Sequence, residues 1–193
     1  MANLTNTADE ILRCARSLIV AGGYNGFSYA DISEVVGIRK ASIHHHFPSK
    51  VDLVQTLVSR YREETEAALA QLAVQEPADQ LRAYAEYWAA CISDGTRPFC
   101  VCALLAGEIP VLPPVVVLEV RGYFRILSAW LTSVMETGAT RGTLTLSGSA
   151  RAEAETVIAT VHGAMLSARA YGDPAIFVAV TQPLIERLTL IRQ

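Results

Sequence analysis

Within its first 52 residues the chain repeats one four-residue pattern three times: Thr7-Ala-Asp-Glu10, Ser28-Tyr-Ala-Asp31 and Ser49-Lys-Val-Asp52. A hydroxyl residue followed three positions later by a carboxylate satisfies, reciprocally, the N–H groups that open a helix. Behind each box apolar residues return at helical spacing. The first is followed by Ala8, Ile11, Leu12, Ala15, Leu18 and Ile19, the second by Ile32, Val35 and Val36, and the third by Leu53, Val54, Leu57, Val58 and Tyr61. The stops are equally local: Gly22-Gly23, Gly37 and Pro48. Between Gly37 and Pro48 one more short helix fits, with Ile43 and Phe47 as its i,i+4 inward pair. The N-terminal part therefore reads as four helices on short connectors. The first carries an Asp9–Arg13 pair, and the fourth runs from about 49 to 72.

Beyond it the pattern predicts helices near 78–93, 99–107, 114–137, 150–171 and 174–191. The breaks fall at 93–98, 110–114, 138–148 and 172–174, where Gly and Pro collect. Only Thr143-Leu-Thr-Leu-Ser147 alternates like a strand, and it is short and glycine-bounded. The expected fold class is all-α, about nine helices, with a three-helix head and a larger helical body. The division is 1–50 and 51–193, joined by the long helix from about 49 to 72. Over 193 residues, 51% hydrophobic and 18% charged, such a chain is rich enough in apolar side chains to hold an interface or a cavity besides its core. The most apolar stretch, 99–120, is interrupted by Glu108, Pro110, Pro113, Pro114 and Glu119, so no membrane span is expected. No basic segment precedes an apolar run at the N-terminus, which predicts a cytoplasmic protein. Cys14, Cys91, Cys100 and Cys102 are too few for a disulfide framework and are expected reduced.

The charge is unevenly placed. The net charge is −3, which speaks against a general coating of nucleic acid or membrane. Residues 1–60 nevertheless hold six Arg or Lys against five Asp or Glu, and 61–193 hold ten against fourteen. Both lysines, Lys40 and Lys50, fall between Val36 and Val51, with Arg39, three histidines and no acid. A local basic window on an acidic protein suits docking to a polyanion.

Two short helices joined through Val36-Gly37-Ile38 fit a helix-turn-helix, whose second helix enters the DNA major groove. At about 100° per residue, Ile43 and Phe47 define the inward side. His45 then points outward with Ala41 and Ser42 beside it, His44 and His46 lie on the flanks, and Lys40 stands at the N-terminal end. Small outward residues let a helix sit deep in the groove, where Ala meets thymine methyls and Ser bonds either base type. Ser28, the first-turn N–H groups of its helix, and Lys50 suit phosphate contacts. Three consecutive histidines point in different directions on a helix and cannot share one ion, so no metal is expected there.

The run Gly22-Gly-Tyr-Asn-Gly-Phe-Ser-Tyr-Ala-Asp-Ile-Ser-Glu-Val-Val-Gly-Ile-Arg-Lys-Ala-Ser-Ile-His-His-His-Phe-Pro-Ser-Lys50 resembles the DNA-binding signature of the TetR/AcrR family of bacterial transcriptional regulators. The likeness covers roughly residues 7–58. It implies a homodimer, a helix-turn-helix head on a double-stranded operator, and a helical body that binds a small-molecule effector, usually in a repressor that the effector releases. The DNA-facing set is Ser28, Tyr29, Arg39, Lys40, Ala41, Ser42, His44, His45 and Lys50. Two positions depart from the family pattern. Arg39 stands where Ser or Thr would cap the recognition helix, and adds a possible phosphate contact. His44 replaces a frequent Tyr, still donates to phosphate, and introduces pH sensitivity.

In the body, Ala154, Ile158, Val161, Met165 and Ala168 form one apolar stripe, and Ile176, Phe177, Val180, Leu184, Leu188 and Ile191 mark the last helix. The resemblance makes these helices the dimer bundle, with Ile158, Val161, Met165, Phe177, Val180 and Leu184 at the interface; plain core packing explains the same pattern equally well. The effector candidates are Tyr87, Trp88 and Cys91 on one helix face with Tyr84, then Phe124, Arg125 and Trp130, and then His162, lining a site for a small, largely apolar molecule. Cys100, at a helix start near Arg97, is a candidate redox or electrophile sensor, against which stands the ordinary burial of free cysteine. Phosphate loops, zinc-protease helices, nucleophile elbows and carboxylate clusters are missing from the sequence. The expected protein is not an enzyme and carries no cofactor; a thiol-dependent enzyme built on Cys100 and His162 is the rival of another class, and a helical scaffold without DNA binding a third.

Overall fold

The computed structural model describes residues 4–189, with side chains from residue 7 onward. Among the described residues there are nine α-helices, one short 3-10 turn and no strand. The helices are α1 (Leu4–Gly22), α2 (Tyr29–Val36), α3 (Lys40–His46), α4 (Lys50–Leu72), α5 (Pro77–Ser93), α6 (Val101–Gly107), α7 (Pro114–Arg141), α8 (Ala150–Tyr171) and α9 (Ala175–Thr189), with the 3-10 turn at Ile109–Val111. None of these helices is long and apolar enough to cross a membrane. The all-α expectation holds.

By packing, the chain forms two compact units: one runs through Glu64 and adds Val101–Tyr123, and the other takes Thr65–Cys100 and the chain from Phe124 onward. In the first, α1, α2 and α3 pack on one another and α6 packs on α1. Ile11, Ala15, Ile19, Ile32, Ile43, Leu53, Val54 and Val58 are fully buried. Burying such side chains is worth about 1.5 to 3 kcal/mol each. The α1–α2 turn depends on Gly23, at φ +77°, where any Cβ would overlap the Glu108 carboxylate. That carboxylate accepts the Tyr24 N–H at 2.8 Å. In the second unit α8 and α9 form the most extensive pair, and α5 packs on α9.

Two of the three boxes are present. Ser28 and Asp31 cap α2 reciprocally, and Gly37 ends it in the left-handed region at φ +73°. Ser49 and Asp52 exchange the same bonds at the start of α4, at 3.0 and 3.2 Å. The third expectation is corrected: α1 is already helical from Leu4. Thr7 and Glu10 therefore lie inside the helix, where the N–H groups are taken by the preceding turn. Asp9 does not serve Arg13 but accepts from Arg60 of α4 at 2.6 Å. Val35, expected inward, is 67% exposed, because an eight-residue helix has one buried face and Tyr29 and Ile32 occupy it.

The helix expected to stop at 137 continues to Arg141. Gly138 does not break it but makes room: a Cβ there would overlap the Leu144 side chain, which folds back after the Gly142 reversal at φ +70°. The strand-like 143–147 segment makes no strand; Thr145 donates its N–H to the Leu188 carbonyl at 2.8 Å. Helix α8 keeps the predicted 150–171 bounds, ended by Gly172 at φ 65° and capped at its start by Ser149. Ile191 lies outside the described residues.

Candidate nucleic-acid interface

Helix α3 is only seven residues long and is held from beneath. Ile43 and Phe47, 0% and 6% exposed, pin its inner side. Its N-cap is Arg39, whose side chain makes no capping bond. The opposite side is open: Arg39, Lys40, Ala41, Ser42, His44 and His45 are all exposed, and no acid lies among them. His44 places Nδ1 3.2 Å from the Pro48 carbonyl and its ring 4.7 Å from Tyr29. His45 and His46 meet edge to face with ring centroids 5.6 Å apart, and no group of three metal-ligating side chains converges among the described residues. This surface offers one ammonium, one guanidinium, a hydroxyl and imidazoles on a helix with almost no side-chain bulk at its centre. It can enter a groove, donate to phosphates on its flanks and bond base edges with Ser42 and His45.

Besides His44, three of the expected contacts are engaged within the protein. Tyr29 is a correction: it is 9% exposed, and its hydroxyl donates to the Phe47 carbonyl at 2.8 Å, tying α2 to the end of α3. Burial, with Asp52 and Tyr24 nearby, pushes its phenol up to about 12. That bond holds the end of α3 against α2. Ser28 is exposed, but its hydroxyl donates to Asp31 at 2.8 Å and accepts from the Ala30 N–H at 3.1 Å. The Ser28 hydroxyl and then the Ser28 N–H hold Asp31 below the usual carboxylate range. The Lys50 ammonium donates to the Phe27 carbonyl and sits 4.1 Å above the Phe27 ring and 5.0 Å above that of Tyr24. Desolvation lowers its pKa against the opposing pull of Asp31 and Glu108. The Glu108 contact to the turn went unforeseen, since a carboxylate 84 residues away leaves no local signal.

The body residues separate into groups. Tyr84, Trp88 and Cys91 are buried, whereas Tyr87 is 44% exposed and its hydroxyl accepts from Arg97 at 2.8 Å. Trp130 lies 5.6 Å from the Tyr84 ring, and Phe124 5.4 Å from His162. Trp130 Nε1 and His162 Nε2 are buried with no hydrogen-bond partner among the described residues. Arg125 was expected inside; it is exposed, because Tyr123 and Leu127 take the buried positions on either side of it. Cys100 is 0% exposed, so the thiol expected to meet oxidants is shielded by its own core. The dimer stripe is also corrected in part. Ile158, Val161, Met165 and Phe177 are at most 5% exposed within one chain, so they pack its own core. Val180 and Leu184 keep exposure, and Leu166 and Val178 stand out at 60% and 43%.

Comparison with known proteins gives a consistent result. The family of bacterial regulatory proteins, tetR family, matches residues 11–57, and the tetracyclin repressor-like C-terminal domain matches residues 77–184. The HTH-type transcriptional regulator CymR of Pseudomonas putida is 32% identical over 76 residues, which span 39% of this chain and 37% of that one. The crystal structure of a TetR-family transcriptional regulator from Agrobacterium tumefaciens is 65% identical, with a TM-score of 0.94, covering 97% of this chain and 100% of that one. A TetR transcriptional regulator from Legionella pneumophila is 26% identical, with a TM-score of 0.85 over 97% and 98% of the two chains.

Proposed function

The chain belongs to the TetR family of bacterial regulatory proteins, and from that premise we propose that this DNA-binding transcriptional regulator is a homodimeric repressor released from its operator by a small effector. The observation that carries the reading is the acid-free outer side of α3, held in place by Ile43 and Phe47. Ala41, Ser42 and His45 would meet bases. Arg39, Lys40 and His44 would meet phosphates, with the donors of Lys50 not taken by Phe27. Ser28 gives both its hydroxyl and its N–H to Asp31 and has no donor left for a phosphate. The head is residues 1–50 and the body 51–193. Two heads related by a two-fold axis would read half-sites about 34 Å apart, one turn of DNA.

The effector is read as largely apolar. The aromatic and thiol side chains of the body leave two buried N–H or imidazole nitrogens, on Trp130 and His162, to be answered by a ligand. Such a ligand acts on DNA affinity only through different affinities for two arrangements of the heads.

The test is fluorescence anisotropy with DNA from upstream of the gene, across a salt series, against scrambled competitor. Specific binding that weakens with salt is expected, and Ala41→Asp should abolish it by setting a bulkier, charged side chain against the base edges inside a groove of negative potential. Specific binding undiminished in Ala41→Asp would show that α3 does not enter the groove. Lys40→Ala should weaken binding and reduce the salt slope by about one unit.

A further inference from the structure

A cleft of about 350 Å³ opens between α1 and α4, lined by residues of those two helices alone. Leu12, Leu57 and the Tyr61 ring give it an apolar floor. Around them stand three guanidiniums, of Arg13, Arg16 and Arg60, and two carboxylates, of Asp9 and Glu64, leaving one positive charge in excess. Asp9 is taken by Arg60 at 2.6 Å. Arg16 is the informative group. Its guanidinium carbon lies 4.6 Å from the Tyr61 ring centre, and its Nη2 is buried with no hydrogen-bond partner among the described residues. A buried donor left unmet is costly, and more so on a charged group. The ring contact fixes the plane of the fork, and Tyr61 is itself backed by the Tyr123 ring at 5.4 Å.

We propose that this cleft binds a small monocarboxylate, its carboxylate received by Arg16 and Arg13 and its compact apolar body resting on Leu12, Leu57 and Tyr61. A planar carboxylate matches the guanidinium fork. One excess charge and the facing Glu64 suit a monoanion and oppose a dianion such as phosphate. The volume sits at the lower end of small-molecule sites, about 300 to 1,000 Å³. Every group involved lies on α1 and α4, so the site is separate in its residues from the effector site proposed on α5, α7 and α8.

Benzoate is the probe, with benzamide as its uncharged counterpart and inorganic phosphate, at a pH of about 8 where it is mainly the dianion, as the doubly charged one. Calorimetry and thermal melting use the whole protein without DNA, so the outcome is independent of operator binding. Saturable binding of benzoate at millimolar concentration is expected, with a raised melting temperature and no matching response to benzamide. Arg16→Gln should weaken it by at least about tenfold. Because Arg16 also packs on Tyr61, the exposed Arg13 supplies a second variant, and Arg13→Gln should weaken benzoate several-fold in a protein that melts normally. The proposal is overturned if benzoate does not bind, if benzamide binds as well, if phosphate binds more tightly, or if both substitutions leave benzoate binding unchanged.

Discussion

One hydroxyl secures the exit of the recognition helix. Tyr29 Oη donates to the Phe47 carbonyl at 2.8 Å in a buried setting, so Tyr29→Phe removes one bond and leaves the ring in place. The expected cost is about 1 kcal/mol, read as a lower urea midpoint. DNA affinity of the folded protein should stay close to that of the parent; a loss larger than the stability change would make Tyr29 a DNA contact after all. Glu153 plays the corresponding part in the body. It is 5% exposed, accepts from Arg187 Nη2 at 2.7 Å and from the Ser147 N–H at 2.8 Å, and is held below the usual carboxylate range chiefly by Arg187. A carboxyl depressed in the folded state adds stability that is fully present above its unfolded value, about 4.3. That stability is lost as pH falls through the folded value. Glu153→Gln should therefore cost about 1 to 3 kcal/mol at neutral pH and flatten the acid limb of stability. Parallel limbs in parent and variant would remove Glu153 from the acid response.

At the scale of the element, Gly138 separates two opposite expectations. On an open helix Gly→Ala stabilises by about 1 kcal/mol. Here the new methyl would overlap Leu144 along its whole side chain, and Leu144 is 6% exposed. Gly138→Ala should destabilise by about 1 to 3 kcal/mol, and pairing it with Leu144→Ala should recover part of that loss; additive losses in the double variant would refute the packing account. The same residue shows what a sequence can and cannot display. Helices α2, α3 and α4 were legible because box, glycine and proline act within four residues, so their chemistry is local. The α7 terminus was not, since only the returning Leu144 gives Gly138 its purpose. The outer side of α3 was legible from helix geometry once Ile43 and Phe47 fixed its inner side. Lys50 and Tyr29 were less so: charge and polarity predict exposure, while Phe27 and Phe47 offer carbonyls that draw both side chains inward.

For the whole molecule, apolar periodicity marks burial but not which chain supplies the cover. Ile158, Val161 and Met165 spend that pattern on their own core, and the face left over on α8 and α9 is small and apolar, with Ala159 and Gly163 exposed beside Leu166 and Val178. If the second copy of the proposed homodimer covers this face, the contact is isologous, and one substitution near the axis is felt twice. Leu166→Glu would then set two carboxylates against an apolar surface. Because Leu166 is 60% exposed, the variant should fold as the parent does while sedimenting as a monomer. Losing the second head removes the gain from joint binding, so operator affinity should fall by about a hundredfold. Val161→Glu is the contrast: at 1% exposure it buries an unpaired charge within one chain and should unfold the protein instead. A Leu166→Glu protein that remains dimeric with parental operator affinity would place the dimer contact on another surface, and a Val161→Glu protein that folds as a monomer would return the interface to the stripe that one chain buries for itself.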